Sequence, residues 1–427
     1  MIAKRAISVL VLLALADART ADAGGFFLRG YGTQTLGVAF AGQSVGYHTS
    51  TVATNPAGMT QFHGLEASAG AGLGLSTRRF DGSGRSALGV PTGVDTGGNS
   101  GGAFVLGAAF AIYEIDPAWR VGIGFYSPFG LSSEWNDGWV GRYQGTRSTL
   151  STVNINPAVA WQPLPWLSLG VGFQAQYARA ELANRIDTGA SIAASTLYDS
   201  AATFRRDDWA FGWTLGALVQ PTANWRVGLS WRSQITHNLS GDTEFAVNPV
   251  FSGTAVAAAL VNRSATGQLA LPGTLSVGTA VAVTERVTVL AEFQWQNWSR
   301  FNEVRLRFGP PPRADQVSIE NYRDSIFVSL GVDWRIDERW SLRAGIALDQ
   351  TPTRDTYRGV RVADADQVIL SVGASARIRP WLTVDVAYAH FFVGDASINK
   401  TSTSGDRVTG TAYGDIDEFA VGLRFRF

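Results

Sequence analysis

The chain has 427 residues, carries 35 Lys and Arg against 35 Asp and Glu, and contains no cysteine. A net charge of zero argues against nucleic acid as a partner, and the lack of cysteine excludes a disulfide framework and a thiolate metal site. Only 16% of the residues are charged, whereas 48 Gly, 14 Trp and 23 Phe make the chain rich in small and aromatic residues. We find no linker or composition break after Gly64 and expect one large domain.

The N-terminus has the features of an export signal. Lys4 and Arg5 precede an apolar run over residues 6–16, and the tripeptide ADA ends at Ala23. The run is too short to span a bilayer, and no later segment has the ~18 uninterrupted apolar residues of a transmembrane helix. The sequence therefore predicts a signal peptide over residues 1–23 and excludes a helical inner-membrane protein.

The next segment, residues 24–63, contains YHTSTVATNPAGMTQFHG and is too polar and too broken for one strand or helix. It is also longer than loops usually are in compact domains. Its apolar residues exceed what disorder usually allows, and they are Phe26, Phe27, Leu28, Tyr31, Leu36, Val38 and Phe40. Two interpretations are open: a plug that fills a barrel, and a disordered periplasmic extension.

From residue 64 onward, apolar and polar residues alternate as they do in strands. In the C-terminal DEFAVGLRFRF, one face is fully apolar and the other carries arginines, as in a strand between lipid and a polar lumen. The strands of soluble β-sandwiches show the same alternation of apolar and polar residues. The spacing of the turns therefore has to distinguish a sandwich from a membrane barrel. Six short segments interrupt the alternation and read as tight turns, and an aromatic or apolar residue begins the next strand after each one. They are IDPAW (115–119), QPLPW (162–166), QPTANW (220–225), VTERV (283–287), RIDERW (335–340) and RIRPW (377–381).

Longer polar segments lie between these turns, among them residues 82–101, 184–208 and 238–267. Short turns at one end and long loops at the other are typical of an outer-membrane barrel. Six turns join seven hairpins, so the sequence predicts an all-β fold, a fourteen-stranded antiparallel transmembrane barrel over residues 64–427 in the bacterial outer membrane. A barrel of this width has an interior that is either a water channel or filled, which favours residues 24–63 as a plug.

Two of the predicted loops are unusually apolar. Their apolar residues are Ile192, Leu197, Tyr198 and Phe204 in the first, and Val250, Phe251, Val256, Ala259 and Leu260 in the second. Loops that pack on each other and cap the barrel would show this pattern, and so would a surface that binds a hydrophobic ligand. Both interpretations stay open.

The chain resembles the FadL-type outer-membrane transporters of long-chain fatty acids and other hydrophobic compounds. The likeness covers nearly the whole mature chain. It rests on the order and spacing of short fragments, which are the Gly25-Phe26 start, GVAFAGQSV, NPA, SPFGLSSEW, YARAEL, FGWTLG, WRS, LALP, WSLRAGIALDQTP and DADQ. Each fragment is weak alone, but together they make the resemblance specific.

The resemblance implies an N-terminal hatch inside the barrel, with a hatch turn formed by Asn55, Pro56 and Ala57. It also implies a kinked third strand that opens a lateral window into the membrane. In this chain that strand begins near Trp119, and the window is assigned to Ser127, Pro128, Phe129 and Gly130. Pro cannot donate to a strand ladder and Gly weakens a strand interior, so a break is physically expected here. The alternative is that Pro128 simply lies near the end of the strand, where the hydrogen-bond ladder stops anyway, and marks no window.

The resemblance further implies a groove between the two apolar loops and an inner pocket with basic residues. The groove would use Ile192, Leu197, Phe204, Phe251, Val256 and Leu260. At the inner pocket, Arg323 takes the position of one basic residue, whereas Asn184 falls where the second is expected, with Arg185 next to it. We also assign Phe26 to the substrate site. An inward Arg323 beside Asp324 is equally typical of a lumen charge network, so ligand contact stays open.

The sequence therefore favours uptake of long-chain fatty acids or similar hydrophobic molecules, with aromatic hydrocarbons by the same route as the alternative. A general porin usually needs rings of charged side chains, and this chain has too few charged residues to supply them. A barrel-borne hydrolase has only GAGLGLS (residues 70–76) in its favour, a match expected by chance in so glycine-rich a chain. We expect no enzyme activity, cofactor or metal. We expect the protein to be a monomer. Its expected partners are the ligand, outer-membrane lipid and, through the C-terminal strand ending in Phe427, the barrel-assembly machinery.

Overall fold

The computed structural model describes residues 24–29, 31–310 and 313–427; the predicted signal peptide over residues 1–23 lies outside them. The described residues form fourteen barrel strands, several of them interrupted. Their bounds are β1 (Leu65–Ser76 and Arg79–Arg85), β2 (Gly102–Glu114), β3 (Trp119–Tyr126 and Gly130–Glu134), β4 (Arg147–Leu164), β5 (Leu167–Ile186), β6 (Ser200–Thr222), β7 (Trp225–Arg232 and Ile235–Ala246), β8 (Arg263–Leu271 and Thr274–Ala282), β9 (Val287–Gln296 and Glu303–Phe308), β10 (Gln316–Ile319 and Ser325–Arg335), β11 (Trp340–Asp349), β12 (Gln367–Arg379), β13 (Leu382–Val393 and Ala396–Thr401) and β14 (Arg407–Tyr413 and Ile416–Arg426).

The strands pair in chain order and close into a barrel. The last strand, β14, lies antiparallel to β1, from Glu66 opposite Arg426 to Ser76 opposite Ile416. All six predicted tight turns connect neighbouring strands, so the fourteen-stranded antiparallel barrel is confirmed. In the part of the chain that is described, no helix is long and apolar enough to cross a membrane.

The outer surface carries the apolar side chains that the alternation predicts. On β14, for example, Phe419 and Val421 are 48% and 57% exposed, because they point away from the lumen. The Trp residues that follow the tight turns are also exposed, and they are Trp119, Trp166, Trp225, Trp340 and Trp381. Such a ring of Trp matches the aromatic girdle at one membrane interface.

The extracellular loops are shorter than the sequence predicts. Strands run into the polar segments, which leaves loops over residues 86–101, 187–199 and 247–262. The extra strand residues are polar because the strands extend past the lipid. On β6, for example, Arg205 and Asp207 lie exposed on the outer face.

The N-terminal segment is buried inside the barrel and forms only short helical turns. These are α1 (Thr33–Leu36), α2 (Thr51–Thr54) and 3₁₀ turns at Gln43–Val45 and Pro56–Gln61; the loops and strand breaks add α3 (Ala255–Ala259) and 3₁₀ turns at Thr188–Ile192, Pro249–Phe251 and Trp298–Arg300. Barrel glycines let the segment approach opposite walls. A Cβ on Gly170 of β5 would lie 2.3 Å from the Ala57 nitrogen, and one on Gly345 of β11 would lie 2.2 Å from the Val38 carbonyl carbon. The segment therefore packs against both sides of the lumen.

Candidate functional site

The barrel wall is interrupted at the third strand. Residues 127–129 separate the two segments of β3. Strand β2 pairs with β3 only from Ala109 opposite Phe125 to Glu114 opposite Arg120, and the upper segment of β3 pairs only with β4. Residues 102–108 of β2 thus have no ladder to β3. The third strand is thus interrupted at residues 127–129, where Pro128 lacks a backbone donor, and the role of this position as a lateral window stays a prediction.

The start of the N-terminal segment lies against this kink. The backbone nitrogen of Leu28 donates to the Pro128 carbonyl at 2.9 Å, and the nitrogen of Gly130 donates to the Phe26 carbonyl at 2.9 Å. Phe27 and Phe129 form the antiparallel bridge between these bonds. Residues 26–28 therefore satisfy backbone groups that a regular neighbouring strand would otherwise satisfy.

A side chain of β4 holds the kink from the other side. The Thr152 Oγ1 accepts a hydrogen bond from the Phe129 nitrogen at 3.0 Å and donates to the Phe129 carbonyl at 2.7 Å. This pair of bonds replaces the strand pairing that the kink removes. The interruption is therefore a defined conformation with its backbone groups paired on both sides.

An aromatic cluster fills the lumen beside the kink. The Phe26 ring lies 4.6 Å from Trp298, 5.5 Å from Phe301 and 6.3 Å from Phe129, measured between ring centroids. Tyr322 packs on Phe301 at 4.9 Å. All five side chains are buried, so Phe26 is the point where the N-terminal segment, the kink and the lumen packing meet.

A cavity of about 730 Å³ occupies the extracellular part of the lumen. Its size falls in the range of small-molecule sites. Its apolar lining includes Leu182, Phe204 and Leu306, and the last two also belong to the hydrophobic cluster that contains Phe26. Phe204 and Leu306 therefore connect the cavity to the hydrophobic packing around the aromatic cluster, although none of the five aromatic side chains lines the cavity itself.

Basic side chains also line this cavity, and they are Arg185, Arg313, Arg361 and Lys400. Lys400 forms an ion pair with Glu320 at 3.0 Å, and Arg185 pairs with Asp137 at 2.6 Å. Arg361 instead donates to uncharged oxygens, at 2.9 Å to Ser148 Oγ and at 3.2 Å to the Arg147 carbonyl. Within the described ranges no carboxylate lies at ion-pair distance from Arg361, and burial lowers the pKa of its guanidinium to about 10.

A second, outer cavity of about 470 Å³ lies between the loops over residues 187–199 and 247–262. Val256 and Leu260 line it, and their contact with a ligand stays a prediction. Phe251 is buried, whereas Ile192 and Leu197 are exposed and do not line this cavity. Phe204 lines the inner cavity instead. The two cavities adjoin, since they share the lining residues Ile186, Asp187 and Arg313.

The basic residues expected from the sequence are only partly at the inner cavity. Asn184 and Arg185 line it. Arg323 is exposed, lines neither cavity, and its Nε donates to the Thr351 carbonyl at 3.3 Å. Contact between Arg323 and a ligand stays a prediction, and its position gives that prediction no support. Sequence reasoning missed Arg361, because it comes from a loop whose path has no periodic signal.

The hatch turn predicted at Asn55, Pro56 and Ala57 fastens the N-terminal segment to the wall. The Asn55 Oδ1 accepts from the Ala57 nitrogen at 3.1 Å. Its Nδ2 donates to the carbonyls of Ser44 at 2.7 Å and of Ala217, on β6, at 3.0 Å. Pro56 opens the 3₁₀ turn, where a missing donor costs nothing. One side chain thus links two parts of the hatch and a barrel strand.

A closed barrel that holds its own N-terminal segment, with a cavity in its lumen and an interruption in its wall, has the architecture of a plugged outer-membrane channel. The chain belongs to the family described as outer membrane protein transport protein (OMPP1/FadL/TodX), whose model matches residues 14–427. It is therefore a bacterial outer-membrane transport protein for hydrophobic compounds, which confirms the resemblance and removes the hydrolase alternative.

Curated relatives match along almost their whole length. The chain is 28% identical over 435 residues to outer membrane protein P1 of Haemophilus influenzae, which covers 93% of this chain and 92% of that one. It is 25% identical over 427 residues to the long-chain fatty acid transport protein of Escherichia coli O6:H1, with 91% of each covered.

Solved structures agree in fold. A FadL homologue of Pseudomonas aeruginosa superposes with a TM-score of 0.89 at 22% identity, over 94% of this chain and 99% of that one. The Ralstonia pickettii toluene transporter TbuX gives 0.70 at 18% identity, over 94% and 99%. Identities this low show the shared fold and leave the ligand to be argued from the site.

Proposed function

We propose that this protein takes up long-chain fatty acids, or amphiphiles of the same shape, across the outer membrane. The observation that carries this proposal is Arg361, a cation with no carboxylate at ion-pair distance among the described residues, at a cavity that also has apolar lining residues such as Leu182, Phe204 and Leu306. An acyl chain needs the apolar lining, and a carboxylate needs the cation. The E. coli relative, by its name, transports long-chain fatty acids.

In this proposal the outer cavity captures the ligand first. It is lined by the apolar Val256 and Leu260 and lies between exposed loops, where it is open to molecules arriving from outside. The lining residues shared with the inner cavity give the ligand a continuous path inward. Capping of the barrel by the same loops is compatible with this role.

Exit then takes place sideways, through the interruption of β3. A long acyl chain that left through the barrel floor would enter water at a cost of ~0.8 kcal/mol per methylene, whereas an opening in the wall delivers it to lipid. The unpaired stretch between β2 and the upper segment of β3 supplies such an opening once residues 26–28 leave the kink.

Aromatic hydrocarbons are the second candidate ligand. The cluster of Phe26, Phe129, Trp298, Phe301 and Tyr322 favours them, because aromatic rings pack well edge to face. A small uncharged ring would use this cluster and would have no need of Arg361. The two candidates therefore differ in their dependence on that cation.

The test compares binding of a long-chain fatty acid, its uncharged alcohol and toluene to the purified protein and to Arg361→Gln. Loss of a charge-assisted hydrogen bond of roughly 1.5–3 kcal/mol predicts about a ten- to hundredfold weaker affinity for the acid and little change for the alcohol. Arg323→Gln is the matched control, since Arg323 lines neither cavity. Tighter binding of toluene than of the acid, with no effect of Arg361→Gln, would refute the proposal.

A further inference from the structure

A cation lies where the two cavities meet. The outer and inner cavities share the lining residues Ile186, Asp187 and Arg313. Both carboxylate oxygens of Asp187 are engaged within its own loop, where Oδ1 accepts from the Thr196 nitrogen at 2.9 Å and Oδ2 accepts from Ser195 Oγ at 2.5 Å. A ligand that moves from one cavity to the other therefore passes the guanidinium group of Arg313.

Arg313 lies against aromatic rings and has no carboxylate partner. Its Cζ is 5.0 Å from the ring centroid of Phe245 and 5.6 Å from that of Phe308. The nearby Asp315 pairs with Arg305 at 3.0 Å instead. Within the part of the chain that the structure describes, Arg313 forms no ion pair and its guanidinium group forms no hydrogen bond. A cation–π contact leaves the in-plane N–H donors available, so Arg313 can still donate to a ligand.

A second guanidinium group adds positive charge beside the first. Arg263 lines the outer cavity, and its Cζ lies 6.0 Å from the centroid of the same Phe245 ring. It donates to the backbone carbonyls of Ala259 at 2.8 Å and of Val261 at 3.2 Å. Burial and the charge of Arg263 lower the pKa of Arg313. An anion at this place would offset the repulsion between the two cations.

We propose that Arg313 selects carboxylates at the passage between the cavities, by pairing with the head group of the incoming acid before Arg361 receives it. This inference rests on the proposed function, because it requires a ligand with a carboxylate. Arg313 is exposed and lines both cavities, whereas Arg361 lines the inner cavity alone. Arg313 therefore meets the carboxylate first, while Val256 and Leu260 of the outer cavity offer apolar surface to the acyl chain.

A group that acts at the passage changes rates and leaves the final affinity alone. By pairing with the carboxylate on its way, Arg313 lowers the barrier between the cavities, and a lower barrier speeds entry and exit equally. The dissociation constant depends instead on Arg361, which holds the carboxylate at the end of the path. Loss of an outer charge is known to act mainly on the association rate, and loss of an inner one on the dissociation rate. The two cations thus predict different kinetic effects.

The test follows binding of a fluorescent polyene fatty acid and of its alcohol to the purified protein by stopped flow. In Arg313→Gln we expect the acid to associate and dissociate about tenfold more slowly, at the low end of electrostatic steering effects, with an unchanged dissociation constant. The alcohol should keep its rates. Arg313→Lys keeps the charge and should restore most of the rate. Arg307→Gln is the matched control: it removes the same charge from an exposed residue that lines neither cavity.

Salt supplies a second readout. In the parent protein, the advantage of the acid over the alcohol in association rate should shrink as the salt concentration rises, because an exposed charge is screened. Unchanged rates for the acid in Arg313→Gln would overturn the proposal. Equal slowing of acid and alcohol would also overturn it, since the side chain would then shape the passage without reading charge.

The same measurements separate this inference from the proposed function. Weaker binding of the acid to Arg361→Gln, together with unchanged rates in Arg313→Gln, would reject the role of Arg313 and leave the proposed function intact. An acid and an alcohol that bind alike to the parent protein and to Arg361→Gln would refute both.

Discussion

The hatch is fastened by a contact that one methyl group should break. A Cβ on Gly216 of β6 would lie 1.9 Å from Oδ1 and 2.9 Å from Cγ of Asn55, so Gly216→Ala forces Asn55 out of its place. Asn55 then loses its three bonds, to Ala57, Ser44 and Ala217. At 0.5–1.5 kcal/mol each, the hatch loses roughly 1.5–4.5 kcal/mol of its attachment, while the barrel ladder keeps its pairing.

The expected result is a folded barrel with a loosened hatch. Gly216→Ala should retain heat-modifiable gel mobility and a β-type circular dichroism spectrum, but conduct ions in planar bilayers more than the parent protein. Gly102→Ala is the matched control, since a Cβ there meets no atom within 4 Å. In an Asn55→Ala background the same substitution should add little, because its collision partner is gone. Conductance as low as the parent's in Gly216→Ala would refute the docking argument.

Three further predictions concern the plug and the kink. Deletion of residues 24–63 should leave a barrel that folds and admits small polar solutes, and an impermeable product would contradict the plug assignment. Pro128→Val with Gly130→Thr should restore a regular strand, keep binding and reduce uptake severely; uptake at the parent rate with the ladder closed would rule out the lateral exit. Thr152→Val should destabilise the closed kink by about 1–3 kcal/mol, measured as faster hydrogen exchange at Phe129, and unchanged protection would contradict this.

The barrel was predictable because its signals are local. Alternation along β14 and the short breaks before Trp119, Trp340 and Trp381 follow from the two-residue period of a strand and from its placement between lipid and lumen. The break in β3 was visible for the same reason, since Pro128 and Gly130 are themselves poor ladder residues. Patterns within short stretches of sequence thus predict the number of strands and the position of the interruption in β3.

What fills that weak point was not predictable from local signals. The bonds between residues 26–28 and the kink join parts of the chain about a hundred residues apart, and residues 26–28 carry no strand pattern of their own. The loop segments were also misjudged, because a strand that leaves the membrane becomes polar on its outer face and looks like a loop. Side chains on such loops, such as Arg361, can be placed at the cavity only once the course of the loop backbone is known.

The N-terminal segment and the interruption of β3 meet at Phe26. Phe26 packs in the lumen cluster, and its carbonyl accepts the hydrogen bond from Gly130 in the kink. A ligand that enters the cluster competes with the Phe26 ring for the same apolar surface. We propose that displacing the ring would pull its backbone away from Gly130, which would couple binding in the lumen to loss of the kink pairing. A ligand shifts such an equilibrium only by its differential affinity for the two states. In this proposal, the ligands that open the wall would therefore be those that fill the place of the Phe26 ring better than the ring itself does.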